Sequence, residues 1–252
     1  MNLGISGKRV LVTGASQGVG EACARAFAAE GCRVAIVARR PGALARVLQA
    51  MGGAAKGHAQ HAADLMAAGA PDAVLDALDA AGDPFEVVIH NLGGTLDLKD
   101  PLAPAEDWQR VWRYNAGIAI DLNARLVPPM QARGWGRIVH ISSISAEALR
   151  GAAAYGAAKA YLNAYTKTLG RALAPEGIVV SALMPGALYA PGGPWDRNRR
   201  ERPHVEPDFL RHHQAVGRLG TPEEIAPFAL FMASQHVTFA QGAILPVDGG
   251  TM

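Results

Sequence analysis

Tyr155 and Lys159 lie four residues apart in a run of small residues, AYGAAKAYL. On a helix that spacing puts the phenol and the ammonium one above the other on one face. A neighbouring cation favours the phenolate, so the ordinary phenol pKa of ~10 falls and the side chain becomes usable as an acid or a base. A half-buried tyrosine beside a surface lysine would have the same spacing, so the decision rests on what surrounds the pair. A second stretch with chemical capacity is Thr13 to Gly20, TGASQGVG, which leads into the helically spaced EACARAFAAEG. Glycines let the backbone turn and approach an anion closely, and the following helix aims free N–H groups and its positive dipole end at that anion. Between a strand and a helix, such a loop reads as a cradle for the phosphates of a dinucleotide. Its spacing is Gly-x-x-x-Gly-x-Gly rather than the commoner Gly-x-Gly-x-x-Gly.

Both stretches need a scaffold. Short β-branched runs recur as KRVLVT, CRVAIVA, FEVVIHN, GRIVHIS, GIVVSALM and AILPV, with helical spacing between them, and His58 and His61 flank one more strand. Alternating strands and helices with continuously apolar strands predict an α/β fold, a parallel sheet covered on both faces. Dinucleotides bind such sheets at the carboxyl ends of the strands. At 252 residues the expectation is one domain over 1–252. The one change of texture is 186–213, where Gly, Pro and Arg crowd together in GALYAPGGPWDRNRRERPHVEPDFLRHH, and this reads as a functional insertion.

Composition narrows the partners. Half of the residues are hydrophobic and the formal net charge is +2, which argues against disorder and against nucleic acid. Cys23 and Cys32 are the only cysteines and form no Cys-x-x-Cys, and no secretory segment opens the chain, so a cytoplasmic setting is expected. No apolar run approaches the ~18 residues of a membrane span. The eight histidines show no ligand spacing, so no metal is expected.

Thr-Gly-x-x-x-Gly-x-Gly at 13–20, GRIVHISS, and Tyr155-x-x-x-Lys159 together resemble the classical short-chain dehydrogenase/reductase family. HNLGG at 90–94 looks like that family's Asn-Asn-Ala-Gly element, and PVDGG at 246–250 is similar to its C-terminal signature. The resemblance covers most of the chain and implies a doubly wound Rossmann-type domain with a mostly parallel seven-stranded sheet. It implies that Gly14, Ser16, Gly18, Val19 and Gly20 hold the cofactor phosphates, while Asp64 and Leu65 contact the adenine. Asn91 and Gly93 would line the middle of the cleft, and Pro185, Gly186 and Leu188 would join Tyr155 and Lys159 around the nicotinamide. Tyr155 becomes the general acid or base, tuned by Lys159, and Asn115 completes a proton relay through water. A strand-end serine would hold the reacting oxygen. Counting from Gly136-Arg137 along the strand gives Ser143, whereas the family's usual distance back from the tyrosine gives Ser142. Ser143 is preferred, because strand register is fixed by its faces while the loop AEALRGAAA can lose a residue. His90, Leu92 and Ala190 depart from the family pattern without removing a catalytic group.

In NAD-dependent members a carboxylate at the tip of the second strand grips the adenosine ribose; here Ala38 stands there, followed by Arg39 and Arg40. Guanidinium groups pair with a 2′-phosphate, so NADP(H) is expected over NAD(H). The implied reaction interconverts a ketone and a secondary alcohol. A 3-oxoacyl thioester, a sugar, a polyketide or another biosynthetic ketone stays open as the substrate, and a non-catalytic dinucleotide-binding sensor is the rival from another class. Acyl-carrier-protein reductases often present a basic residue just before the glycine of the sixth strand, where this chain has Pro175-Glu176 before Gly177. Within 186–213, expected to be a substrate lid hinged at Gly192-Gly193-Pro194 and capped by Trp195, arginines outnumber carboxylates and suggest an anionic substrate. The resemblance also implies a homo-oligomer, tetramer or dimer.

Overall fold

The computed structural model describes residues 1–79, 83–148 and 151–251. Seven strands form one sheet: β1 (Arg9–Thr13), β2 (Arg33–Ala38), β3 (Ala59–Ala62), β4 (Val87–His90), β5 (Gly136–Ile141), β6 (Ile178–Pro185) and β7 (Ile244–Val247). Their spatial order is β3-β2-β1-β4-β5-β6-β7, and all six pairings are parallel. Parallel neighbours need crossovers, which are supplied chiefly by α1 (Gly18–Ala29), α2 (Pro41–Ala50), α3 (Ala70–Asp79), α4 (Ala105–Trp112), α5 (Ile118–Arg133), α6 (Ser145–Ala148) and α7 (Ala153–Leu173). Between β6 and β7 lie α8 (Pro194–Glu201), α9 (Val205–His213) and α10 (Pro222–Met232). Among the described residues no helix is long and apolar enough to cross a membrane.

The apolar strands are continuous because both faces are covered. Val10 and Val12 of β1 pack with Phe27 of α1 and Ile225 of α10, whereas Leu11 between them packs with Val74 of α3 and Leu122 of α5. A period of two therefore feeds two cores from one strand. β3, at the sheet edge, alternates between half-buried and exposed and carries no apolar run; of the two histidines expected to flank it, His58 precedes it and His61 lies within it. The strand order reverses at β1, which pairs with β2 on one side and β4 on the other, and this opens a crevice above their carboxyl ends.

Candidate active site

At the tip of β1 the chain turns through Gly14 at φ 66°, and Thr13 ties the turn to β4. Its Oγ1 accepts the N–H groups of Asn91 (3.1 Å) and Leu92 (3.2 Å), while Asn91 Nδ2 donates back to the carbonyls of Thr13 and Gly14. A Cβ on Gly20 would lie 2.5 Å from both Asn91 Nδ2 and the Gly14 oxygen, so only glycine lets α1 start this close to the strand tips. Gly18, at φ 60°, would direct a Cβ into open space. Gln17 precedes α1 without capping it through its side chain, which leaves the first-turn N–H groups free to meet an anion.

A cleft of about 850 Å³ runs from this loop along the strand tips, and Gly14, Ser16, Gly18, Val19, Arg39 and Arg40 line one end. Asp64, Leu65, Asn91, Gly93 and Leu188 line its walls. Arg40 donates to Gln17 Oε1 and, at 3.4 Å, to Ser16 Oγ, so its guanidinium is held across the phosphate loop. No carboxylate stands at Ala38. The uncapped helix start and the glycine-lined approach fit a dinucleotide, and Arg39 and Arg40 stand beside them. Among the lining residues that escaped the sequence reading are Gln17, whose only signal was its place inside the loop, and Tyr114, next to Asn115.

A second cavity of about 270 Å³ shares Val19, Asn91, Gly93 and Leu188 with the first and brings Ser142, Ser143, Tyr155, Lys159, Pro185 and Gly186 together. Tyr155 and Lys159 lie on α7 as their spacing predicts. Lys159 is 3% exposed; its Nζ donates to the Ile141 carbonyl at 2.7 Å and sits 5.7 Å from the Tyr155 ring centroid. Burial pulls this ammonium down to about 7. For Tyr155 the balance differs from the expectation of a lysine-lowered phenol. Burial raises it above its ordinary value, and the group that pulls it back is Ser143 through a hydrogen bond. The phenol is thus held in its proton-bearing form, suited to donation.

The two serines face opposite ways. Ser142 is 4% exposed and turns its Oγ to the backbone oxygen of Lys159 at 3.4 Å, while the Ser143 hydroxyl acts on the Tyr155 phenol and accepts the N–H of Ser145 at 3.1 Å. Only Ser143 presents its hydroxyl beside the phenol. Leu149 and Arg150, in the loop argued to vary in length, lie outside the described residues. Ser143→Ala should lower turnover about a hundredfold, as for loss of one donor to a developing oxyanion, and Ser142→Ala less than about threefold. Steady-state kinetics of both variants check the order; its reversal would mean that the other serine holds the oxygen.

Asn115 sits in a π-helical turn, Arg113–Gly117, between α4 and α5. Its Nδ2 donates to the carbonyls of Val111 and Gly94, each at 2.8 Å, and its Oδ1 accepts Gly94 N–H at 3.0 Å. A side chain thus replaces regular helix bonding and grips the strand tip, as such bulges do at functional sites. Gly93 fills the narrow gap: a Cβ there would lie 2.6 Å from Asn115 Oδ1 and 3.0 Å from Lys159 Nζ. Asn115 and Lys159 therefore flank one glycine.

Within 186–213, read from sequence as a functional insertion, the chain forms α8 and α9. Trp195 lines the cavity and packs on Phe209 with centroids 4.8 Å apart. The arginines expected to meet an anionic substrate are largely engaged by nearby carboxylates. Arg199 grips Glu206 through two bonds and lies over the Tyr189 ring, Arg200 reaches Asp196 at 3.3 Å, and Arg197 reaches Asp97 at 3.6 Å. In sequence these partners lay on different elements, so only the Asp196 and Arg200 pair, one helical turn apart, was readable.

A family model described as enoyl-(acyl carrier protein) reductase matches residues 14–252. The chain is 34% identical over 250 residues to galactitol 2-dehydrogenase (L-tagatose-forming) of Cereibacter sphaeroides, covering 98% of this chain and 95% of that one. It is 30% identical over 249 residues to the 3-oxoacyl-[acyl-carrier-protein] reductase FabG of Escherichia coli strain K12, covering 98% of each. Among solved structures, L-sorbose reductase from Gluconobacter frateurii, complexed with NADPH and L-sorbose, superposes with a TM-score of 0.91 at 29% identity, covering 99% of this chain and 98% of that one.

Proposed function

The chain belongs to the classical short-chain dehydrogenase/reductase family, oxidoreductases acting between CH–OH and C=O, and on that premise we propose that it interconverts a small polyhydroxylated ketone and its secondary alcohol with NADP(H). The observation that carries the reaction is that Ser143, the Tyr155 phenol and the buried Lys159 ammonium line one cavity at the inner end of the cleft. The nicotinamide, when bound, supplies or takes a hydride. Tyr155 gives its proton to the substrate oxygen, Ser143 donates a hydrogen bond to that oxygen as charge develops on it, and Lys159 favours the phenolate left behind. Asn115 holds the strand tip against which the lysine is seated, and a lid built from α8 and α9 shields the cavity from water with Trp195.

A ketose or polyol is favoured by three features. The cavity is small, Trp195 lines it with an aromatic face against which the C–H side of a sugar can lie, and the lid cations Arg199 and Arg200 are paired with Glu206 and Asp196. The relatives acting on galactitol and L-sorbose agree with this reading. NADPH oxidation measured with L-sorbose and related ketoses, beside a short 3-oxoacyl thioester, tests it. Turnover of the thioester alone would replace the substrate class, and none with either would favour a non-catalytic binding protein.

NADP(H) is read by Arg39 and Arg40. Arg39→Ala should weaken NADPH about tenfold, the range of one charge-assisted hydrogen bond, and leave NADH within about twofold. Fluorescence titration with both dinucleotides measures this; equal weakening would make Arg39 a loop support. The protein is also proposed to self-associate, because Phe228 and Phe231 of α10 and the fully exposed Phe239 leave apolar surface open. Static light scattering of the full chain tests that assembly.

A further inference from the structure

Beside the phosphate loop, a third cavity of about 530 Å³ shares Ser16, Gln17 and Arg40 with the cleft and adds Glu21, Arg46 and Glu223 to its walls. The reaction above uses none of the added three. Arg40 immediately precedes α2 and Arg46 lies within it, so one helix presents two guanidinium groups to the loop. They hold different atoms. Arg40 donates to Ser16 Oγ and Gln17 Oε1, whereas Arg46 Nη2 donates to the Ser16 carbonyl at 3.2 Å. That bond seats the Arg46 charge against the loop.

The closer partner of Arg46 is Glu21, in the first turn of α1. Nη1 meets Oε1 at 2.6 Å and Nη2 meets Oε2 at 2.7 Å, the two-pronged geometry in which a guanidinium holds a carboxylate best. Among the described residues no other hydrogen bond reaches that carboxylate. The Glu21 side chain is 16% exposed and that of Arg46 57%, so water screens the acid less than the base. The place of this acid matters. The first-turn N–H groups and the positive dipole end of α1 stand open because Gln17 offers no side-chain cap, and a dinucleotide would bring the two negative charges of its pyrophosphate to that same turn. An unpaired Glu21 would repel them. The other cation of the cavity, Arg40, is turned to Ser16 and Gln17, and the other acid, Glu223, stands in the first turn of α10.

We propose that Arg46 is a positioning residue for the cofactor phosphates, which cancels the Glu21 charge at the anion-binding start of α1. This rests on the reading of the cleft as a dinucleotide site. Arg46 lines the third cavity and not the cleft, so it acts through Glu21 rather than by contact with the dinucleotide. Its contribution is common to NADPH and NADH because the pyrophosphate is common to both, whereas the 2′-phosphate assigned to Arg39 is carried by NADP(H) alone.

Fluorescence titration of the full chain with NADPH and with NADH tests the charge itself. Arg46→Ala should weaken both about fivefold, the size of one charge acting at a helix start. Adding Glu21→Gln to that variant removes the bared carboxylate and should return both dinucleotides to within about twofold of the parent. Glu21→Gln alone leaves the arginine charge unopposed and should tighten both about threefold. Loss of a purely structural tie cannot tighten binding, so this variant decides even where Arg46→Ala does not fold. A double variant as weak as Arg46→Ala, or a Glu21→Gln chain that binds more weakly than the parent, would make the pair a strut between α1 and α2 and overturn the proposal. Unchanged binding in Arg46→Ala would overturn it as well, and so would a loss confined to NADPH, which would mean that Arg46 reads the 2′-phosphate. A parent chain that binds neither dinucleotide would overturn the cofactor reading and this proposal with it, whereas a parent that binds while the variants fail these expectations overturns this proposal alone.

Discussion

Tyr155→Phe should lower turnover at least a hundredfold, the upper part of what general acid catalysis contributes, while NADPH titrates as in the parent. The ring packs beside Val111, Ala154 and Ala158, and phenylalanine keeps that contact, so the fold has no reason to change. The hydroxyl alone is lost, and with it the proton that Tyr155 would give to the substrate oxygen. No other acid stands ready: Lys159 is anchored to the Ile141 carbonyl, and the serine hydroxyl is far too weak an acid to replace a phenol. Stopped-flow kinetics with the best ketone and a fluorescence titration of NADPH give the two numbers. Turnover within a few-fold of the parent would take Tyr155 out of the acid role.

Gly93→Ala should lower kcat at least thirtyfold, on the order of what misplacing a catalytic group costs. The added methyl would meet Asn115 Oδ1 at 2.6 Å, and Asn115 cannot retreat because Val111 and Gly94 hold its amide from two sides. On its other side the methyl would press on Lys159 Nζ at 3.0 Å. The strand tip, the π-helical turn and the lysine must therefore separate, and each carries part of the site. Gly42→Ala is the matched control, since a Cβ there meets nothing within 4 Å and α2 gains a better helix former. Its kcat should stay within about twofold. Equal activity in Gly93→Ala and the parent would show that the gap is not tight in solution.

The strands that carry the site were legible because continuous apolar runs such as RVLVT and GRIVHI can only be strands buried on both faces. The Tyr155 and Lys159 pair was legible for a local reason, since helical spacing fixes which residues share a face. What escaped depends on register between elements distant in sequence. His90 and His140 become neighbours only when β4 and β5 align residue for residue. The π-helical turn at Asn115 has no composition of its own, because its cause is the side-chain grip on Gly94. The lid arginines read as free charge because Glu206 and Asp97, which pair with two of them, sit on other elements. The phenol was read as lysine-lowered because burial, the larger influence on Tyr155, is invisible along the chain.

The central position of β1 also bears on how the protein is made. As the chain leaves the ribosome, β2 can pair with one edge of β1 early, but the other edge stays open until β4 has been synthesised. That open edge carries Val10, Leu11 and Val12, all fully buried at the end, and is a sticky template for wrong pairing in the meantime. Thr13 gains its bonds to Asn91 and Leu92 at the same moment. The nascent chain therefore acquires its dinucleotide cleft and loses its most aggregation-prone edge in one event, so a cofactor can reward only chains that have already passed their most hazardous stage.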